Sequence, residues 1–344
     1  IMCLVMDPKT GEILASAVTP GFDPNNATEP DDEEEKEAFE SMSSDEQISY
    51  LNKMWRNPIV SDTYEPGSTF KLITASSALE EGAITSEETF TCDSHVTIAG
   101  VTLHCWSTRD HGTQTIKQAL GNSCNPALAK VATKLGAANF YKYLELYGIT
   151  EPTGVDYPGE TSSIMYALED VGPVELATMG YGQSISLTPI QLLTAVSAIG
   201  NDGVLLQPRY VKALTDADGN VVEEFETKEV RQVLSEETAA EMREAMEYAV
   251  SEGGAGAINI PGYRIGGKTG TANKVENGVY GKYYYSSILG MAPTDDPQIA
   301  ILVVVDSPKG AYYGSLTAGP IAKSILEDTL RYMNIEPQYT EEEQ

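Results

Sequence analysis

Ser68-Thr69-Phe70-Lys71 places a hydroxyl and an ammonium group at positions i and i+3, which share one face of a helix. A serine hydroxyl is a weak nucleophile until a neighbour takes its proton, and a desolvated lysine can take it. At a helix N-terminus the serine also faces orphan N–H groups and the positive end of the dipole, which favour developing negative charge. A second group, Ser123-Cys124-Asn125, precedes Pro126, a residue suited to the first turn of the next helix. In a tight turn its hydroxyl and amide project into one space, where one can relay a proton and the other can orient a lysine or a carbonyl. A third, Lys268-Thr269-Gly270-Thr271, reads as a late strand in which Gly270 lets a ligand backbone come close. Taken singly, each is commonplace: a capped helix with a surface lysine, a polar turn, a strand. Another Lys-Thr-Gly, Lys9-Thr10-Gly11, reads as a hairpin turn, because it follows Asp7-Pro8 and precedes Glu12 and a new apolar stretch. In the order S-x-x-K, S-x-N, K-T-G the three form a strong combined signal.

These groups are far apart in the chain, so the elements between them must bring them together. Residues 1–18 read as a β-hairpin, and strands are expected over 209–215, 221–226, 263–271, 283–292 and 298–306. Helical periodicity covers 68–79, 116–120, 126–147, 173–179, 189–199, 235–250 and 317–332, with Ser235 as a cap. A small hairpin over 96–103 brings Cys92 towards Cys105. Residues 28–47, centred on Glu29-Pro30-Asp31-Asp32-Glu33-Glu34-Glu35, read as a solvated acidic loop or short exposed helix. Apolar strands cannot stay unpaired, so both chain ends are expected in one antiparallel sheet, with the middle of the chain as a helical lobe and a cleft between them.

Composition sets the class. The chain has 344 residues, 41% of them apolar and 21% charged, with 30 Gly and 18 Pro, which fits a globular protein. A net charge of −29 repels phosphate and argues against nucleic acid as a partner. The longest strongly apolar run, 299–305, is far short of the roughly 20 residues a membrane helix needs. The chain opens inside an apolar run at Ile1, and an upstream part is expected.

With these motifs in hand, the chain resembles the transpeptidase domain of a class B penicillin-binding protein of Gram-positive, clostridial type. The resemblance extends to Tyr64-Glu65-Pro66-Gly67, to 180–191 (Gly180-Tyr181-Gly182-Gln183-Ser184 onwards), and to Pro20-Gly21-Phe22-Asp23-Pro24-Asn25. It implies an α/β (α+β) fold of the penicillin-binding-protein and serine β-lactamase type: a five-stranded antiparallel sheet flanked by helices, plus a helical lobe. The expected division is a domain over 1–335, with sheet parts at 1–25 and 204–335, a lobe over 60–203, an acidic insertion at 28–47 and a tail at 336–344. An upstream membrane anchor and pedestal domain are implied.

The resemblance also implies a D,D-transpeptidase on the outer face of the cell membrane. Ser68 would attack the D-Ala-D-Ala bond of a peptidoglycan stem peptide, with Lys71 as base, and Ser123, Lys268 and Asn125 would serve proton transfer and orientation. Thr269, Gly270, Thr271 and Gln183 would bind substrate, and the N–H groups of Ser68 and Thr271 would form the oxyanion hole. No cofactor is required for the chemistry. β-Lactams would be covalent inhibitors and a membrane glycosyltransferase a partner. A β-lactamase or β-lactam sensor is the alternative enzyme class, and an inactive cell-wall scaffold the alternative of another kind; no motif supplies the extra base that fast deacylation needs.

Three of the four cysteines and all three histidines fall between Cys92 and Cys124. In an extracytoplasmic chain a Cys92–Cys105 disulfide is one reading and scattered buried thiols another. The sharper one is a structural Zn²⁺ held by Cys105, Cys124 and His111, with Cys92 or Asp110 completing the set, as in some clostridial-type relatives. His95 and His104 read as surface strand residues, and Cys3 as core.

Overall fold

The structure, a computed structural model, describes residues 1–276 and 278–339. Five strands form the main sheet: β1 (Met2–Met6), β2 (Ile13–Val18), β3 (Gly266–Glu276), β4 (Val279–Ala292) and β5 (Ile299–Asp306). Their order is β3-β4-β5-β1-β2, and every pairing is antiparallel. The two ends of the sequence thus meet where Met2 pairs with Val304 and Met6 with Ala300.

The central strands read as unbroken apolar runs because both their faces are covered. Alternation then sorts the side chains. Leu4, Met6, Leu289, Leu302 and Val304 enter the core shared with the helical lobe. Val5, Ile288, Ile299, Ile301 and Val303 enter a second core, closed by helices Glu236–Ser251 and Gly314–Tyr332. Ser235 caps the first of these helices by accepting the Thr238 N–H. Cys3 lies in this second core.

Several expectations need correction. The helical span over 126–147 is two helices, Asn125–Leu135 and Ala137–Leu146, parted at Gly136; continuous apolar periodicity hid the break. The acidic stretch forms the short exposed helix that was one of its two readings, Glu33–Glu40, and a second helix, Ser44–Met54, runs on past residue 47. Asp32 caps the first, and Ser43 and Glu46 form a capping box on the second, so acidic residues stand at the helix ends that favour them. Strands Ala213–Thr215 and Val221–Glu224 pair only with each other, outside the main sheet. β3 and β4 are longer than expected and run on as a hairpin, with Val275 opposite Tyr280. The expected tail beyond residue 339 lies outside the described residues.

Candidate active site

Ser68 stands in a 3₁₀ turn, Gly67–Phe70, and the α-helix proper begins at Lys71 and runs to Glu80. The expectation of a serine at the tip of an α-helix is corrected by one turn. The tighter 3₁₀ geometry nearly eclipses residues i and i+3, so Ser68 and Lys71 still share a face. The turn is held by the Thr69 hydroxyl donating to Pro66 O at 2.8 Å and by Gly67 N–H donating to Gly182 O at 2.9 Å. Gly182 has φ of +83°, and a Cβ there would lie 2.0 Å from Gly67 O, so only glycine fits this contact.

Lys71 is fully buried. Its Nζ donates to Ser123 O at 2.6 Å, to Asn125 Oδ1 at 2.7 Å and to Ser123 Oγ at 3.3 Å. Three acceptors match the three protons of an ammonium group. Among the described residues the Ser68 hydroxyl makes no hydrogen bond to Lys71, whose donors are all directed to the Ser123 turn. Burial pulls Lys71 down to about 8, against a smaller opposite pull from the thiols of Cys124, Cys105 and Cys92.

Lys268 comes in from the sheet side. It is 2% exposed, and its Nζ donates to Ser123 Oγ at 2.9 Å and to Thr269 O at 3.1 Å. Burial, and then repulsion from Lys71, hold it well below the ordinary lysine range. Ser123 has φ of +53°. This left-handed residue ends the helix Ile116–Gly121, with its N–H on Leu120 O, and turns its hydroxyl between the two lysines. Asn125 opens the next helix and its Nδ2 donates to His104 O at 3.3 Å, so the amide is held from both sides.

β3 is the edge of the sheet, which leaves one side of its backbone unpaired by strand neighbours. A Cβ on Gly67 would lie 3.4 Å from Thr271 O, so that carbonyl faces the turn bearing Ser68. In a strand the N–H of a residue points the same way as its C=O. The Thr271 N–H therefore faces the turn as well. Thr269 and Thr271 are half-buried, alternating with buried Lys268 and Gly270, and Thr271 Oγ1 accepts Gly314 N–H at 3.3 Å. At Gly270 a Cβ would lie 2.3 Å from Ser287 Oγ and 3.0 Å from Pro66 O, so this glycine allows strand and turn to touch. Gln183, next to Gly182, is half-buried, with its N–H on Thr178 O.

Beside the lysines, Cys92, Cys105, Cys124 and His111 offer ligand atoms that all lie within 4.8 Å of one another. His111 Nδ1 is 3.7 Å from both Cys92 Sγ and Cys105 Sγ. Zinc–sulfur bonds of about 2.3 Å and zinc–nitrogen bonds of about 2.0 Å in a tetrahedron separate such ligands by roughly 3.6 Å, so the donor set fits Zn²⁺. Cys92 completes the cluster and Asp110 stands outside it. No Cys92–Cys105 bridge is present: all four cysteines are free thiols. The hydrogen bond between Cys105 and Cys124 pulls the Cys105 thiol down and pushes that of Cys124 up, as for a thiolate beside a thiol. Hairpin His95–Ile98 and Val101–His104 carries the chain from Cys92 to Cys105, with His95 and His104 exposed on it.

Two residues at this site were given no role from the sequence. Trp106, between Cys105 and His111, donates its indole N–H to Asn122 O at 2.9 Å, steadying the residue before Ser123. Glu65 is buried three residues before Ser68. Neither position follows from local spacing, although an acid next to Pro-Gly ahead of the serine is an unusual neighbour.

Residues 1–327 match the family model described as the penicillin binding protein transpeptidase domain. Among curated relatives, the chain is 39% identical over 341 residues to stage V sporulation protein D of Bacillus subtilis (strain 168), covering 98% of this chain and 50% of that protein. It is 30% identical to penicillin-binding protein PbpB of Mycolicibacterium smegmatis, covering 97% of this chain and 50% of the relative. The chain therefore spans about half the length of the curated relatives it matches. Penicillin-binding protein 3 of Mycobacterium tuberculosis, solved in complex with aztreonam, superimposes with a TM-score of 0.83 at 28% identity, over 98% of this chain and 74% of that one.

Proposed function

The chain belongs to the penicillin-binding protein transpeptidase family, and from that premise we propose that it is the D,D-transpeptidase domain of a class B penicillin-binding protein. The observation that carries this is the convergence of Lys71 and Lys268, both buried, on the hydroxyl of Ser123 beside the turn that bears Ser68.

In the proposed reaction neutral Lys71 takes the Ser68 proton as Oγ bonds to the carbonyl carbon of the penultimate D-Ala. The carbonyl oxygen becomes an oxyanion facing the N–H groups of Ser68 and Thr271; such donors are worth about 3 kcal/mol each in the transition state. The tetrahedral adduct collapses, the C–N bond breaks, and the leaving D-Ala amine takes a proton through Ser123, which the lysines resupply. An amine of a second stem peptide then attacks the ester, loses its proton along the same route and frees Ser68. Lys268, Thr269 and Thr271 suit the terminal carboxylate, with Gly270 giving room and Gln183 lining the approach. Asn125 keeps Lys71 aimed and holds the substrate amide.

We also propose that Cys92, Cys105, Cys124 and His111 bind a structural zinc ion. Bound there, the ion cross-links the segments that flank the Ser123 turn and takes no part in acyl transfer. Zinc copurifying at one equivalent, and lost in Cys124→Ser, is the expected result; a metal-free protein with a disulfide in its place contradicts it.

Further parts of the proposal are an upstream membrane anchor and pedestal, placement at the outer face of the membrane, and a glycosyltransferase partner. No helix among the described residues is long and apolar enough to cross a membrane. The test of function is to supply a stem peptide ending in D-Ala-D-Ala with an acceptor amine. Release of D-Ala with formation of the amide product, both absent in Ser68→Ala, supports the proposal; rapid β-lactam hydrolysis favours a β-lactamase, and no reaction of either kind favours a scaffold.

A further inference from the structure

Glu65 is 9% exposed, and its Oε2 is buried without a hydrogen-bond partner among the described residues. Its Oε1 accepts the Ser184 N–H at 2.7 Å and, at a longer 3.4 Å, the Tyr280 hydroxyl. Burial pushes the carboxyl above its ordinary range. A carboxylate is costly to bury, and an apolar residue would fill the same space at less cost, so its contacts need a reason.

Each contact leads to a different part of the site. Glu65 belongs to the segment 64–67, in which Tyr64 exchanges backbone hydrogen bonds with Leu187 and Gly67 donates to Gly182. Ser184 follows Gln183 and has φ of +60°, a left-handed conformation that a non-glycine residue holds at a cost. Its N–H is held by Glu65, while its Oγ lies 3.1 Å from Thr178 Oγ1. Tyr280 sits near the tip of the β3–β4 hairpin, opposite Val275, four residues beyond Thr271.

We propose that Glu65 is a positioning residue: by accepting from Ser184 and Tyr280, its carboxylate clamps the turn bearing Ser68 to the loop bearing Gln183 and to the hairpin bearing Lys268-Thr269-Gly270-Thr271. This rests on the acyl-transfer reading of the site. The clamp sets the distance between nucleophile and edge strand, so its loss lowers the rate of acylation more than the affinity for the ligand.

The test follows a fluorescent penicillin over a concentration series, separating half-saturation from the first-order acylation constant, with melting temperature recorded for each variant and Ser68→Ala as blank. Glu65→Ala is expected to acylate at least about tenfold more slowly, with half-saturation within about twofold of wild type. Glu65→Gln keeps an acceptor oxygen and is expected to stay within about threefold of the wild-type rate. Tyr280→Phe removes one tether at a partly exposed tip and is expected to be about two- to fivefold slower, with melting little changed. A folded Glu65→Ala that acylates at the wild-type rate overturns the inference, as does a Glu65→Gln as slow as Glu65→Ala. Should Glu65→Ala not fold, Tyr280→Phe decides, and a wild-type rate there overturns the clamp. A wild-type protein that takes no label contradicts the acyl-transfer reading itself.

Discussion

In the proposed reaction Lys71 is the residue on which the chemistry turns. Its ammonium group, out of water, has Ser123 O, Ser123 Oγ and Asn125 Oδ1 as acceptors. Losing its proton frees a lone pair for the Ser68 hydroxyl, and burial makes that loss easier by bringing Lys71 to about 8. The sign follows directly. The base is the neutral form, its fraction grows as pH rises, and the acylation rate should climb through about pH 8 and level off above it. An ordinary lysine would level off about two to three pH units higher. A profile measured from about pH 6 to about pH 10 that is flat contradicts this role. Asn125→Ala removes one acceptor and loosens the lysine. The expected loss is about 1–3 kcal/mol of transition-state stabilisation, or roughly 5-fold to 150-fold in acylation rate. Unchanged kinetics would show that Ser123 alone holds Lys71.

Among the elements, the Ser123 turn depends on what flanks it. Cys124 lies between Ser123 and Asn125, so whatever the thiol cluster binds fixes the geometry of both. Cys124→Ser should lower the melting temperature and slow acylation together, and chelation of the purified protein should do the same; a variant with wild-type values in both would free the turn from the cluster. The three motifs and the pairing of both chain ends in one sheet were legible in the sequence, because residue spacing and apolar runs are local signals. The left-handed Ser123 and Ser184, the 3₁₀ turn at Ser68 and the break at Gly136 were not. The turns at Ser68, Ser123 and Ser184 answer to partners far along the chain: Glu65 meets Ser184 across 119 residues, and Lys71 meets Asn125 across 54. The members of the Cys/His cluster proposed to hold zinc were legible only to the point of a choice; the fold brings Cys92 rather than Asp110 into it because strand Thr89–Cys92 ends beside the hairpin that leads to Cys105.

At the scale of the molecule, the sheet is the frame on which two cores are built, and the site lies along its β3 edge, where it meets the lobe. Ile301, fully buried on the face away from the lobe, tests how separable the cores are. Ile301→Ala should cost about 2–5 kcal/mol of stability. The folded fraction should acylate at the wild-type rate, because the missing methyl groups face the helices and not the cleft; a slowed rate would show strain passing through the sheet. The proposed function depends on one covalent bond, formed at Ser68. Incubation with a penicillin, followed by intact mass and peptide mapping, should show one antibiotic mass added per chain, on the peptide that carries Ser68, and none in Ser68→Ala. An unmodified chain, or an adduct on any other residue, would contradict it.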